Sequence, residues 1–277
     1  MTLLSKDGIS LHLHSWRAQP QVATVALVHG YGEHAGRYAH VAEAFGRRGI
    51  SVHAVDLRGH GRSAGRRSHV DRFEEYHWDA QALLEHTRQS AQGAPVFLFG
   101  HSMGALIVMD WLLTGAAQDV AGVVLSSPYL GVAMEVPAVK VAAGKIMSRL
   151  IPTLALPTGI RGDHVTRDPE QARLYETDPL MGQKATARWF TEANAAIART
   201  MEQAARLERP LLLLYGGADR LASAGVTDRL AQQLTAKDRT VERLEGFAHE
   251  LVNEPPADRA AVIERMGQWI LDRAQRR

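Results

Sequence analysis

Apolar and polar positions follow two rhythms that alternate along the chain. Ile9–Trp16 switches apolar and polar residue by residue, which predicts a half-buried edge strand. Val22–Val28 is a continuous apolar run ending in His29-Gly30, the pattern of a strand buried on both faces. Tyr38–Arg48 has helical spacing and stops near Gly49, and Val52–Val55 is the next strand, ending at Asp56. Phe73–Ser90 reads as a helix from the spacing of Trp78, Ala82 and Leu83. Val96–Phe99 then predicts a strand, Met103–Leu113 a helix and Val120–Leu125 a strand. Strands at Leu211–Tyr215 and Thr240–Leu244 and a helix at Ala257–Ala274 close the pattern. Repeated strand–helix units predict an α/β fold, a mostly parallel sheet covered by helices on both faces.

The rhythm breaks between Pro128 and Thr186, a stretch with prolines at 137, 152, 157, 169 and 179 and no convincing strand. This divides the chain into a core of residues 1–128 and 186–277 and an inserted helical cap over 129–185. In open α/β sheets the ligand crevice lies at the carboxyl ends of the strands, so an insertion after Val120–Leu125 would cover it.

Composition narrows the chemistry. The 277 residues are 45% hydrophobic and 22% charged, with 32 basic against 30 acidic side chains. A net charge of +2 gives no reason to expect a nucleic-acid partner. There is no cysteine, which excludes disulfides, thiolate nucleophiles and cysteine-held metals. His12 and His14 would share one face of a strand, but no third ligand stands near them in sequence, and a solvated strand face is the reading adopted over a metal site. Met1–Trp16 contains no apolar run like a signal peptide, and charges and prolines interrupt Val120–Gly144 well short of a membrane span. A cytoplasmic protein is expected, peripheral to a membrane at most.

Candidate chemistry begins at Gly100-His101-Ser102-Met103-Gly104, a Gly-x-Ser-x-Gly sequence placed between a predicted strand and a predicted helix. A serine projecting from so sharp a turn needs small residues two positions away on each side. The helix that follows aims its free N–H groups at the place where an oxyanion would form. A serine hydroxyl also needs a base, and the base needs an orienting acid. The strand Leu211–Tyr215 runs through Gly216-Gly217 to Asp219, and Thr240–Leu244 runs through Gly246 to His249. Both fall just past strand ends, in the order Ser, Asp, His that this topology requires. Asp228 and Asp238, in or near a helix and its exit, are read as solvated.

Val25–Val28 leads into His29-Gly30-Tyr31-Gly32, a glycine-rich loop suited to donate the second oxyanion N–H. The backbone amides of Tyr31 and Met103 are therefore the expected oxyanion donors. A dinucleotide fingerprint competes here, with Gly30, Gly32 and Gly36 after a strand and Asp56 at the end of the next. Its third glycine is one residue late, and Glu33 would set a carboxylate against pyrophosphate. The charged turn Asp56–Ser63, with Arg66 and Arg67 beyond, reads as a structural turn whose arginines are solvated or paired with Asp56 and Asp71, in preference to a phosphate site.

Taken together, His29–Tyr38, Asp56–Ser63, Gly100–Gly104 and Gly217–Asp219 resemble the monoacylglycerol lipase and lysophospholipase branch of the α/β-hydrolases, the serine aminopeptidase-like group. The resemblance implies about eight strands, a mobile lipophilic cap, no cofactor, and hydrolysis of small-molecule esters with one acyl chain. It also implies that Glu33, Arg37 and His101 order the polar end of the site, with a Glu33–Arg37 ion pair that merely fixes the loop as the competing reading. Cap pieces such as Val136–Ala143 and Ile146–Leu156 would supply the acyl pocket and touch a membrane surface. Two alternatives stand beside this: an esterase or amidase acting on small non-lipid substrates, and a non-catalytic ligand-binding member of the fold.

Overall fold

The computed structural model describes residues 1–117, 119–133 and 138–276. Eight strands form one sheet: β1 (Thr2–Leu4), β2 (Ser10–Trp16), β3 (Ala23–Val28), β4 (Ile50–Val55), β5 (Val96–His101), β6 (Gly122–Ser126) and, later in the chain, Leu211–Gly216 and Arg239–Leu244. Between these last two and β6 lie two three-residue strands, β7 (Ala155–Pro157) and β8 (Lys184–Thr186), so Leu211–Gly216 is β9 and Arg239–Leu244 is β10. The order across the large sheet is β1-β2-β4-β3-β5-β6-β9-β10. Within this sheet, among the described residues, only the β1–β2 and β2–β4 pairings are antiparallel.

The parallel strands are buried on both faces because their side chains feed two separate cores. Along β3, Ala26 and Val28 pack with Leu83, Leu84, Ile107 and Trp189, whereas Val25 and Leu27 pack with Val41, Phe45, Met266 and Ile270. The first face is covered by α2 (Glu74–Ala91), α3 (Met103–Leu113) and Ala187–Gln203; the second by α1 (Ala39–Gly46) and Pro256–Ala274. Each fully buried side chain of this size contributes about 1.5–3 kcal/mol.

The segment between β6 and Ala187 adds no strand to the large sheet. It holds α4 (Ala138–Leu150), α5 (Gly162–Val165) and α6 (Pro169–Thr177), followed by α7 (Ala187–Gln203). Contrary to the sequence expectation it does contain strands, since β7 and β8 pair antiparallel with Leu156 opposite Ala185. β2 is likewise not an edge strand: β1 pairs with Thr2 opposite His12 and takes the edge itself. The remaining helices are α8 (Ala224–Gln233) and α9 (Pro256–Ala274). Among the described residues no helix is long and apolar enough to cross a membrane.

Candidate functional site

The register of the central strands brings the site together. Val28 at the end of β3 lies opposite Gly100 of β5, and His101 lies opposite Ser126 of β6. Ser102, between β5 and α3, has φ 51° and ψ −116°, a region that non-glycine residues rarely occupy. Its own N–H donates to the carbonyl of Ser126 at 2.9 Å, which helps hold the turn. The flanking glycines are obligatory for steric reasons. A methyl group at Gly100 would lie 2.6 Å from the Cα of Ala105, and one at Gly104 would collide with the backbone oxygens of Val28 and His29.

Ser102 Oγ is 2.8 Å from His249 Nε2, and His249 Nδ1 is 2.7 Å from Asp219 Oδ2. The other carboxylate oxygen of Asp219 accepts from the N–H groups of Leu221 and Ala222, at 2.8 and 2.9 Å, which fixes the direction of the side chain. The loops carrying acid and base are tied together: Gly217 N–H donates to the carbonyl of Leu244, and Ala218 N–H to that of Phe247. Burial pushes His249 towards its neutral form, but Asp219, with Glu250 and Glu33 beyond, outweighs it and raises the imidazole above its ordinary pKa.

Gly30, in the loop after β3, lies against Ser102: a methyl there would approach the Cβ of Ser102 to 3.1 Å. Among the described residues neither the Tyr31 nor the Met103 N–H donates to a protein acceptor. The Tyr31 ring is not free, however. It packs on Trp189 of α7 with centroids 3.8 Å apart, and its hydroxyl donates to the carbonyl of Lys184 on β8 at 2.7 Å. Tyr129, whose N–H donates to the carbonyl of Ser102, stacks on the same Trp189. These three rings form an aromatic wall beside the serine, and neither Tyr129 nor Trp189 stands out in sequence.

Glu33, Arg37 and His101 come together beneath this surface. Glu33 Oε1 accepts from the Gly30 N–H at 2.6 Å and the Tyr38 hydroxyl at 2.7 Å, while its Oε2 accepts from Arg37 at 2.9 Å. Burial opposes the charge of Glu33, yet Arg37 and its other partners hold the carboxyl down at about 2. His101 is buried with its ring 5.0 Å from that of His249, and burial lowers it to about 4, so it is neutral at ordinary pH. The ion pair named as the competing reading is thus present, and it extends to Glu250, which sequence reasoning missed.

The other residues singled out in the sequence fall as follows, and the rejected dinucleotide reading finds no support. Asp56 spends its carboxylate on the N–H groups of Ala35 and Arg62, with His14 3.3 Å away, and is not presented to a ribose. Arg58 pairs with Asp79, Asp7 and Glu75 instead of Asp56 or Asp71. Asp228 is not simply solvated, since it accepts from Tyr215 and pairs with Arg243, and Asp238 pairs with Arg273. His12 and His14 meet edge to face at 4.7 Å. Of the predicted acyl-pocket pieces, Val136 and Pro137 lie outside the described residues. Ile146, Leu150, Ile151 and Leu156 face outward, being 50–73% exposed. A cleft of about 660 Å³ opens between α5–α6 and the loops of Ala218 and Ala248, but it backs onto the acid and base and is not lined by Ser102.

Comparison with known proteins agrees with this architecture. The chain is 34% identical to the monoacylglycerol lipase of Mycolicibacterium smegmatis over 250 residues, 89% of this chain and 87% of that protein. It is 31% identical to phospholipase YtpA of Bacillus subtilis over 242 residues, 87% of this chain and 93% of that one. The crystal structure of Paleococcus ferrophilus monoacylglycerol lipase superposes with a TM-score of 0.86 at 31% identity, covering 95% of this chain and 99% of that chain. The serine aminopeptidase S33 family matches residues 19–256, and the chain belongs to that family of α/β-hydrolases.

Proposed function

We propose that this serine α/β-hydrolase cleaves esters with a single acyl chain, in the manner of a monoacylglycerol lipase or lysophospholipase, through an acyl-enzyme on Ser102. The observation that carries the proposal is the unbroken line from Ser102 Oγ through His249 to Asp219, at 2.8 and 2.7 Å, starting from a strained turn. His249 takes the serine proton as the oxygen attacks the ester carbonyl. Asp219 keeps the imidazole in the tautomer with its Nδ1–H bound and stabilises the imidazolium that forms. The Tyr31 and Met103 N–H groups stabilise the oxyanion, each by about 3 kcal/mol. His249 then protonates the departing alcohol, and water attacks the acyl-enzyme by the same route in reverse.

The monoacylglycerol lipases among the relatives support an ester with one acyl chain, and the wall of Tyr31, Tyr129 and Trp189 offers the apolar side of such a site. Residues 129–185 act as a cap, joined to the oxyanion loop through Gly182 N–H to Gly32 and Asp178 to His34. Outward-facing Ile146, Leu150, Ile151 and Leu156 support brief contact with a lipid surface. A second reading, a small non-lipid ester, is favoured by one observation: with the cap so joined, Ser102 is only 8% exposed.

Turnover of 4-nitrophenyl esters from acetyl to palmitoyl, with 1-monoacylglycerols and lysophosphatidylcholine alongside, separates these. The proposal expects an optimum at medium or long acyl chains, hydrolysis of at least one natural monoacyl lipid, and silence in Ser102→Ala. Activity confined to acetyl and butyryl esters would favour the second reading, and turnover surviving in Ser102→Ala would refute both.

A further inference from the structure

We propose that Glu250 and Arg37 are positioning residues that lock the oxyanion loop and the loop of the base into one register while holding a net negative charge behind His249. The proposal rests on the hydrolase reading above and adds residues to that site.

The linkage is continuous and buried. Glu33 receives the Gly30 N–H, one residue before the proposed oxyanion donor Tyr31. Arg37 Nη1 bridges Glu33 Oε2 at 2.9 Å and Glu250 Oε1 at 2.7 Å, while its Nη2 donates to Glu250 Oε2, also at 2.7 Å. Glu250 is the residue after His249, and Asn253 Nδ2 completes its shell at 2.8 Å. The side chains of Glu33, Arg37 and Glu250 are 4, 8 and 5% exposed. Four hydrogen bonds therefore connect the end of β3 to the residue after the base, through a planar guanidinium whose fork grips Glu250 with both nitrogens and shares Nη1 with Glu33.

The charge balance is the second half of the argument. A loop staple needs only one ion pair, and burying a further carboxylate is costly unless something repays it. Two carboxylates and one guanidinium leave one negative charge. Among the described residues the charges acting on His249 are those of Asp219, Glu250 and Glu33; Arg37 stands between the two glutamates, and His101, 5.0 Å away, is neutral at working pH. The surplus charge thus favours the imidazolium that forms as Ser102 attacks.

Glu250→Gln keeps the shape and removes the charge, whereas Arg37→Lys keeps the charge and removes the fork. For Glu250→Gln we expect kcat on a soluble 4-nitrophenyl ester to fall roughly ten- to a hundredfold with KM nearly unchanged. The acid limb of kcat/KM should move to lower pH, because His249 loses support for its charged form. Arg37→Lys should lower kcat with the acid limb left in place. The titration of His249, followed by NMR in Ser102→Ala with and without Glu250→Gln, reads the charge term without any turnover; failure of the hydrolase reading would show instead as activity in Ser102→Ala. A His249 titration and acid limb unmoved by Glu250→Gln, or a loss confined to KM in both variants, would overturn the proposal.

Discussion

Replacing Ser102 by glycine should make the protein more stable than replacing it by alanine, although both variants lose the hydroxyl. At φ 51° and ψ −116° a residue with a Cβ carries backbone strain of about 1–3 kcal/mol, which alanine retains and glycine releases. Glycine gives back about 0.5–1 kcal/mol through the greater freedom of its unfolded chain. At the middle of these two ranges the net advantage of glycine is about 1.25 kcal/mol. For a chain of 277 residues the unfolding entropy near Tm makes each kcal/mol worth about 2 °C, so Ser102→Gly should melt about 2–3 °C above Ser102→Ala. Both lose the bond to His249 equally, which removes that interaction from the comparison. Calorimetry of the two variants, each shown to be inactive, decides the matter. If Ser102→Gly melts at or below Ser102→Ala, the turn is not strained in the way its dihedral angles imply.

Other expectations concern the base and the buried charges. Asp219→Asn leaves the shape of the loop but misdirects the imidazole, and steady-state kinetics should show kcat lowered by roughly 10³–10⁴ with little change in KM. Arg58→Met strands Asp79, whose side chain is fully buried, and should cost about 3–5 kcal/mol in denaturant unfolding; adding Asp79→Asn should recover most of it. Burial holds His53, His60 and His101 at about 4, 3 and 4, below the ordinary value of about 6.5. The unfolded chain therefore binds their protons first, so stability is full above about pH 6.5 and falls as pH drops towards 4. A Tm that stays flat from pH 7 to 4.5 would contradict this.

The parts of the site legible in sequence are those encoded by a strand and the turn that follows it. Ser102 and Asp219 stand a few residues past runs of apolar positions, His249 a few residues past the more polar strand β10, and the chain order of the three carries real information. The β7 and β8 strands were hidden because three residues show no period, and β1 for the same reason. α7 did carry a signal, since Trp189, Ala193, Ala196 and Thr200 bury one helical face. The partners of Arg58 and Arg37 could not be read locally: Asp79 and Glu250 lie 21 and 213 residues away, and charge pairing has no sequence period. Glu250 also adjoins a more conspicuous residue, His249, which drew the functional reading to itself.

The central claim, that Ser102 is a nucleophile activated by His249, is tested most directly by covalent trapping. A fluorophosphonate should add one phosphonyl group per chain, located on Ser102 by peptide mass analysis, with labelling abolished in Ser102→Ala and slowed at least a hundredfold in His249→Ala. An adduct on any other residue, or labelling of His249→Ala at the wild-type rate, would contradict the account.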